Sequence, residues 1–458
     1  MKKILTGLLS FIFIIGLTGV CSAEDAAEKK LSYGGDIRIR GQVLTNNKDL
    51  FNDKYDDEQY YTHRTRLWVK GEFEEGYTAY VRLAIEPRWG HPDTAYNDST
   101  TDSDGKAAPE IGNHLVIDNS YIEAKKFLGI PVTLKIGRQD MSYGEGFLVQ
   151  DGTDGTNFSD GSRTGYFDAI KLTSDFGIIG VDLFTAKADE GAYNNQDDED
   201  LYGLYVTIKA LKDHTFDVYG LRRDQKAYNY HKGLADSSIT KSYTNAIGVR
   251  ATGIIVENLS YGAELVGEFG KIDKADGIDR AAMGGLAHLT YAMPQAPTQP
   301  SITLGVYYTS GDKEDTADKN EGWDGFYSDF PKYGYGDVLA NMGKIDPDEG
   351  VWANHTIYEV DIKATPLPNL TTSLGYLYLM ASEQNDARSK VRGKCPQAKL
   401  EYRFTKAVSG RLIGQYFQAG DYYRGQLPYG KNDEAKNYLD AEANDDALWG
   451  RAELNIKF

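Results

Sequence analysis

The sequence predicts an all-β protein: a transmembrane antiparallel β-barrel of about 18 strands, with short periplasmic turns and long extracellular loops. Three observations lead there. Many segments of about ten residues alternate apolar and polar side chains, the period that puts successive residues on opposite faces of a strand. The connections between these segments are short and long in turn. The chain ends LWGRAELNIKF, where Leu448, Gly450, Ala452, Leu454, Ile456 and Phe458 share one face and Arg451, Glu453, Asn455 and Lys457 share the other. Lipid selects the first face and lumenal water the second.

The first residues, MKKILTGLLSFIFIIGLTGVCSA, place Lys2 and Lys3 before an apolar run and then small residues. That order is the grammar of a secretory signal, with cleavage expected after Ala23. An uncleaved anchor is the alternative. A lipoprotein site at Cys21 is opposed by Val20, where a small residue is wanted. The expected organisation is a signal peptide at 1–23, a short periplasmic segment at 24–32 and one barrel domain at 33–458.

The formal net charge is -18. Loss of Lys2 and Lys3 leaves 48 basic side chains against 68 acidic ones. Only Cys395 then remains, which rules out an internal disulfide and any C-x-x-C-H haem attachment. Mean hydropathy is -0.50, and beyond the signal no apolar run approaches the ~20 residues of a membrane helix. The 33 Tyr and 49 Gly instead suit short strands and turns.

In order, the alternating segments fall near 33–43, 62–73, 77–89, 114–126, 131–140, 166–174, 178–187, 201–210, 214–223, 243–255, 260–270, 280–292, 301–310, 355–365, 369–381, 397–404, 407–419 and 447–458. Short turns are expected at 74–76, 175–177, 210–213, 256–259, 366–369 and 405–407. Long polar loops are expected at 44–61, 90–113, 141–165, 188–200, 224–242, 271–279, 311–350, 382–396 and 420–446. A propeller or sandwich array would not produce that alternation, and no blade-length repeat is visible.

If Ile37, Ile39, Leu67, Val69, Val81, Leu83 and Ile85 face lipid, their neighbours line the pore. Those are Asp36, Arg38 and Arg40, then Arg64, Arg66 and Lys70, then Arg82, Glu86 and Arg88. The same parity adds Arg250, Glu264, Glu268, Glu359, Asp361, Lys363, Glu401, Arg403, Arg411, Arg451 and Glu453. A charge at the bilayer midplane would cost about 2–4 kcal/mol, so these residues are expected inside. The basic strip of the first three segments either attracts anions or forms a wall of Arg–carboxylate pairs. The loops are acidic: residues 311–350 hold eleven acidic and four basic side chains. They either bind divalent cations that bridge to lipopolysaccharide or simply form a solvated surface.

The run LKIGRQDMSYGEG followed by SRTGYFDAIKL resembles the alginate export family of outer-membrane barrels. The shared residues are Gly137, Arg138, Gln139, Tyr143, Gly144, Arg163, Phe167 and Asp168, with Arg64, Arg66 and Arg88 to Gly90 also similar. The resemblance spans nearly the whole mature chain. It implies an eighteen-stranded barrel and an arginine-rich lumen that passes an anionic polysaccharide or other small solutes. Loop 141–165 is expected to fold inward as a constriction anchored by Arg138, Arg163 and Asp168. Strict alternation after Leu134 and Ile136 sends Arg138 to the lipid side, so that role requires a bulge at Gly137 or a position above the membrane.

The expected function is a passive channel for hydrophilic solutes, anionic ones included, or for an exported polysaccharide. The alternative is a scaffold that sheathes a periplasmic redox partner or displays adhesive loops. No H-E-x-x-H, G-x-S-x-G or Walker sequence is present, so no enzyme, cofactor or metal is expected. Expected partners are outer-membrane lipids and lipopolysaccharide, the barrel-assembly machinery through Phe458, and the solute. No nucleic-acid partner is expected, and the monomer is expected rather than the trimer.

Overall fold

The computed structural model describes residues 30–46, 50, 57–73, 76–90, 115–151, 166–189, 199–228, 239–273, 277–313, 316, 318–328, 334–335, 353–385, 387–423 and 445–458. The expected signal peptide and Arg163 lie outside the described residues. Among the described residues, eighteen strands form the wall. They are β1 (Lys30–Thr45), β2 (Glu58–Glu72), β3 (Tyr77–Ile85), β4 (Val116–Ala124), β5 (Val132–Gln139), β8 (Phe167–Asp175), β9 (Ile179–Asp189), β10 (Glu199–Ile208) and β11 (His214–Tyr228), followed by β12 (Ile239–Val256), β13 (Leu259–Asp273), β14 (Ile278–Ala292), β15 (Ser301–Thr309), β18 (His355–Leu367), β19 (Leu370–Met380), β20 (Val391–Arg403), β21 (Val408–Ala419) and β22 (Ala447–Lys457). Four short strands complete the set: β6 (Met141–Ser142), β7 (Val149–Asp151), β16 (Lys319–Asn320) and β17 (Tyr327–Ser328).

Each wall strand pairs antiparallel with its neighbours, and β1 closes the cylinder on β22 from Asp36↔Lys457 to Thr45↔Leu448. The terminal residue completes the seam. Gly35 N donates to Phe458 O at 2.9 Å, and Phe458 N donates to Gly35 O at 3.0 Å. Closure leaves no strand edge to satisfy in hydrocarbon, which is why sheets cross membranes only as barrels.

The outer face follows the expected parity. Leu67, Val69, Val81, Leu204, Val249, Leu265, Leu304, Val360, Leu374, Leu412 and Leu454 are all exposed. Exposed aromatics flank this band: Tyr33, Phe73, Tyr77, Tyr291, Phe404 and Phe458 toward the short turns, and Tyr61, Trp89, Tyr202, Phe269 and Tyr358 toward the long loops. Paired aromatic girdles mark the two interfaces of an outer-membrane barrel. The tight turns use residues that tolerate left-handed backbone, such as Gly177 (φ 83°) and Asn258 (φ 66°).

Most boundaries differ from expectation by a few residues, and two of the larger differences involve a proline. β3 stops at Ile85 because Pro87 has no N–H to give the ladder; beyond it Trp89 N rejoins Tyr61 O at 2.8 Å. β20 begins at Val391 rather than near 397. A loop was expected at 382–396, but the strand passes through Pro396, and the ladder to β21 skips from Lys394↔Gln418 to Gln397↔Gln415.

Candidate functional site in the lumen

Arg38 and Arg40 on β1 and Arg64 and Arg66 on β2 lie inside the barrel, 2–5% exposed. Arg38 and Arg64 are opposite each other in the ladder. Such a like-charge pair survives because carboxylates interleave it. Arg38 Nη2 donates to Glu86 Oε1 at 2.7 Å, and Arg40 Nε donates to Glu453 Oε2 at 2.7 Å. Asp36 accepts from Arg66 Nε at 2.8 Å and from Arg64 Nη2 at 3.3 Å. Arg411 reaches Glu401 at 3.0 Å and Glu453 at 3.6 Å. Buried Arg451 sets its guanidinium 4.9 Å from the Trp449 ring centroid. Arg82 donates to both oxygens of Asp118 at 2.9 Å and touches Asp140 at 3.2 Å. Toward the two mouths, Lys70 pairs with Glu72, and Arg88 lies 3.7 Å from Glu58 and over the Tyr60 ring.

This half of the wall is a network of paired charges. Each guanidinium presents a planar fork, which suits one carboxylate spanning two strands. Arg38, Arg40, Arg64, Arg66, Arg411 and Arg451 nevertheless outnumber Asp36, Glu86, Glu401 and Glu453 among the described residues.

Residues 140–151, which follow β5, turn into the lumen. Met141, Phe147, Leu148 and Val149 are buried at 1–2% exposure inside a barrel whose outer face is also apolar. Tyr143 Oη donates to Asp182 Oδ2 at 2.9 Å and packs on Phe184 and Tyr205. Glu145 takes Arg250 Nη2 at 2.6 Å, while Arg250 Nη1 holds Asp217 at 2.9 Å. Glu145 N donates to Glu264 at 3.3 Å, and Glu264 also accepts Tyr219 Oη at 2.6 Å. Phe147 stacks on Trp323 at 4.9 Å and meets Tyr307 edge-on.

A second inward segment, 323–328, packs on the first. β17 pairs in parallel with β7, Val149↔Tyr327 and Gln150↔Ser328. Asp324 pairs with Arg223, lies 3.7 Å from Arg280, and donates its N–H to Glu268 at 3.0 Å. The two segments bridge the lumen from β5 to β15. Burial shifts the titratable groups carried on them. Asp140 is raised by burial although Arg82 and Asn119 resist the shift, and Tyr143 is pushed well up by burial and the adjacent Asp182 carboxylate.

Of the expected anchors of this constriction, Arg163 lies outside the described residues, and Arg138 and Asp168 lie elsewhere. Arg138 and Asp168 meet through two bonds of 2.9 Å, but they share the face of Ile136 and Ile170, which is the outer one. Their side chains are 31% and 47% exposed, and Arg138 stacks over Tyr166 at 3.8 Å. The register from β4 through β5 to β8 carries no shift there, so alternation holds and sends Arg138 outward. Gly137 adopts φ 120° without a bulge. The residues that pin the segment are Tyr143, Glu145, Phe147 and Arg250, of which only Arg250 stood among the expected pore-lining residues. The apolar run FLV (147–149) inside an otherwise polar loop was the available signal.

A closed barrel of eighteen strands, aromatic girdles and a charged lumen crossed by inward loops define an outer-membrane channel. Residues 29–428 match the family model for alginate export, and the chain belongs to that family. Solved structures show the same fold. Acinetobacter baumannii OccAB1 is 15% identical, with a TM-score of 0.55 over 93% of this chain and 96% of that one. Pseudomonas aeruginosa OccK8 (OprE) is 11% identical, with a TM-score of 0.55 over 93% and 98%. Pseudomonas aeruginosa OpdK, solved with vanillate, is 11% identical, with a TM-score of 0.53 over 93% and 98%. No curated protein matches the sequence. Family and neighbours are transport channels.

Proposed function

We propose that this barrel passes hydrophilic, preferentially anionic solutes or an exported anionic polysaccharide, and that Arg38, Arg40, Arg64, Arg66, Lys70, Arg82, Glu86, Arg88, Arg250, Arg411 and Arg451 line or shape its path. The observation that carries this is the arginine-rich half-wall of β1, β2, β21 and β22, whose guanidiniums outnumber the carboxylates facing them among the described residues. Rings of Arg and Lys favour anions in a pore. The inward segments at 140–151 and 323–328 narrow the route and set the size of what passes.

On this proposal the chain reaches the outer membrane of a Gram-negative cell after removal of residues 1–23. Phe458 is offered to the assembly machinery before it closes the seam, and the barrel then stands as a monomer among lipids and lipopolysaccharide. A second possibility, a scaffold without open conductance, draws support from the dense aromatic packing of the inward segments against the wall. Planar-bilayer recording separates the two. A channel gives discrete, ohmic conductance steps that favour anions in a salt gradient; a scaffold gives none.

A further inference from the structure

A row of charged side chains runs along the outside of the barrel, where the wall strands approach the long loops. Arg138 of β5 lies opposite Asp168 of β8, Asp168 opposite Lys187 of β9, and Lys187 opposite Asp200 of β10. The row continues through Asp224 of β11 and Tyr243 of β12 to Lys271 of β13 and Asp279 of β14. These positions share the parity of Ile136, Ile170, Leu183, Leu204, Val218, Leu265 and Met283, all exposed on the lipid face. Bases and acids alternate and join. Lys187 Nζ is 2.9 Å from Asp200 Oδ1, Arg222 Nη2 is 2.7 Å from Asp224 Oδ1, and Lys271 pairs with Asp279.

Charge on the outer face is costly at the bilayer midplane and tolerated near the interfaces, so these strand ends lie at headgroup level. The long loops of such barrels are extracellular, which makes the headgroups those of the outer leaflet. The bases stand on every second strand, β5, β9, β11 and β13, so successive ones are about 10 Å apart along the row. An ammonium carries three N–H donors and a guanidinium five, more than one carboxylate takes. On the opposite side of the barrel the outward positions near the long loops include Val43, Tyr61, Tyr358, Tyr416 and Leu448. The interface itself therefore does not demand charge.

We infer that Arg138, Lys187, Arg222 and Lys271 dock the phosphates of an outer-leaflet phosphorylated glycolipid, lipopolysaccharide, on this side of the barrel. This deepens the lipid contact proposed above and rests on the outer-membrane setting, not on conduction. Divalent cations hold such phosphates together, so the lipid layer alternates in charge as the row does. A base of the barrel takes the place of a divalent cation beside a phosphate, through charge-assisted hydrogen bonds. An aspartate takes the place of a phosphate beside a divalent cation. The lipid layer then meets the wall without a break in its charge pattern.

The test titrates the full-length barrel, in detergent with magnesium, with a deep-rough lipopolysaccharide and with the same lipid dephosphorylated. The parent is expected to bind the phosphorylated lipid far more tightly, and to lose most of that advantage in EDTA. A base beside a charged lipid surface is worth about fivefold in affinity. Lys187→Gln, Arg222→Gln and Lys271→Gln together should therefore weaken binding about a hundredfold. Lys394→Gln, exposed on β20 away from the row, should leave it unchanged. Equal affinity for the two lipids, affinity unchanged by EDTA, or a triple variant that binds like the parent overturns the row. The lipid comparison and the EDTA arm use the parent alone, so they decide even where the triple variant fails to assemble. A parent that conducts but shows no phosphate-dependent binding removes the row and keeps the channel; one that binds without conducting does the reverse.

Discussion

Arg250, on the wall strand β12, holds Glu145 of the inward segment at 2.6 Å across the lumen. The same guanidinium holds Asp217 of β11 at 2.9 Å, so one side chain ties a loop to two strands it does not belong to. Replacing Arg250 with Ala strands two carboxylates, at a cost of about 1–3 kcal/mol each where they are shielded from water. The loss falls on the segment, because the ladders of β11 and β12 remain. The expected outcome is a folded barrel with larger, noisier conductance, checked by single-channel recording beside heat-modifiability on gels.

Phe147 is the apolar counterpart of that tie. It fills the space between Trp323 and Tyr307 and is 1% exposed. Phe147→Ala should release about 3–5 kcal/mol of local packing and loosen both inward segments together, since β7 and β17 are paired. Protease cutting within 141–151 or 323–328 should rise while the wall stays resistant.

The outer pair Arg138 and Asp168 gives a prediction opposite in kind. Arg138→Leu leaves Asp168 alone beside the lipid interface, whereas changing both to apolar residues removes the charge altogether. The single variant should lose about 1 kcal/mol or more of stability, and the double variant less. Chemical denaturation from lipid vesicles measures both. Neither change should alter ion selectivity, because the pair does not face the lumen.

How much of this was legible in the sequence follows from where alternation applies. The wall was legible because lipid and water impose a period of two on every strand, and this placed Arg38, Arg64 and Arg82 inside. Alternation also points Arg138 outward, and the register of β5 with β4 and β8 carries no bulge that would turn it back. Gly137 takes φ 120° in the ladder, and a Cβ there would lie 2.3 Å from Ser120 O. The glycine serves that close approach, so Gly137→Ala should lower the yield of folded barrel. The partners of each charge were not legible. Asp118, Asp140 and Glu453 meet arginines through barrel geometry, which brings together residues as far apart as 40 and 453. The inward course of 141–151 is likewise a tertiary fact, hinted at only by FLV in a polar loop.

Asp140 adds a pH dependence. Burial raises its carboxyl. A carboxyl whose folded-state pKa is raised binds its proton more tightly when folded, so its ionisation costs stability above that pKa and the cost vanishes as the pH falls below the unfolded value. Asp140→Asn should therefore shift thermal stability relative to the parent at neutral pH, and the difference should shrink as the pH drops through the carboxyl range.

Replacing Arg38, Arg40, Arg64 and Arg66 together with Ser should move the reversal potential in a salt gradient toward cations, because Asp36, Glu86 and Glu453 would be left facing the path.

The most direct measurement compares single-channel conductance of the native barrel with one in which residues 143–148 are replaced by a short glycine linker. A water-filled cylinder narrowed by that segment predicts a conducting native barrel and a variant of clearly higher conductance. Two barrels with the same conductance, or with none, would contradict it.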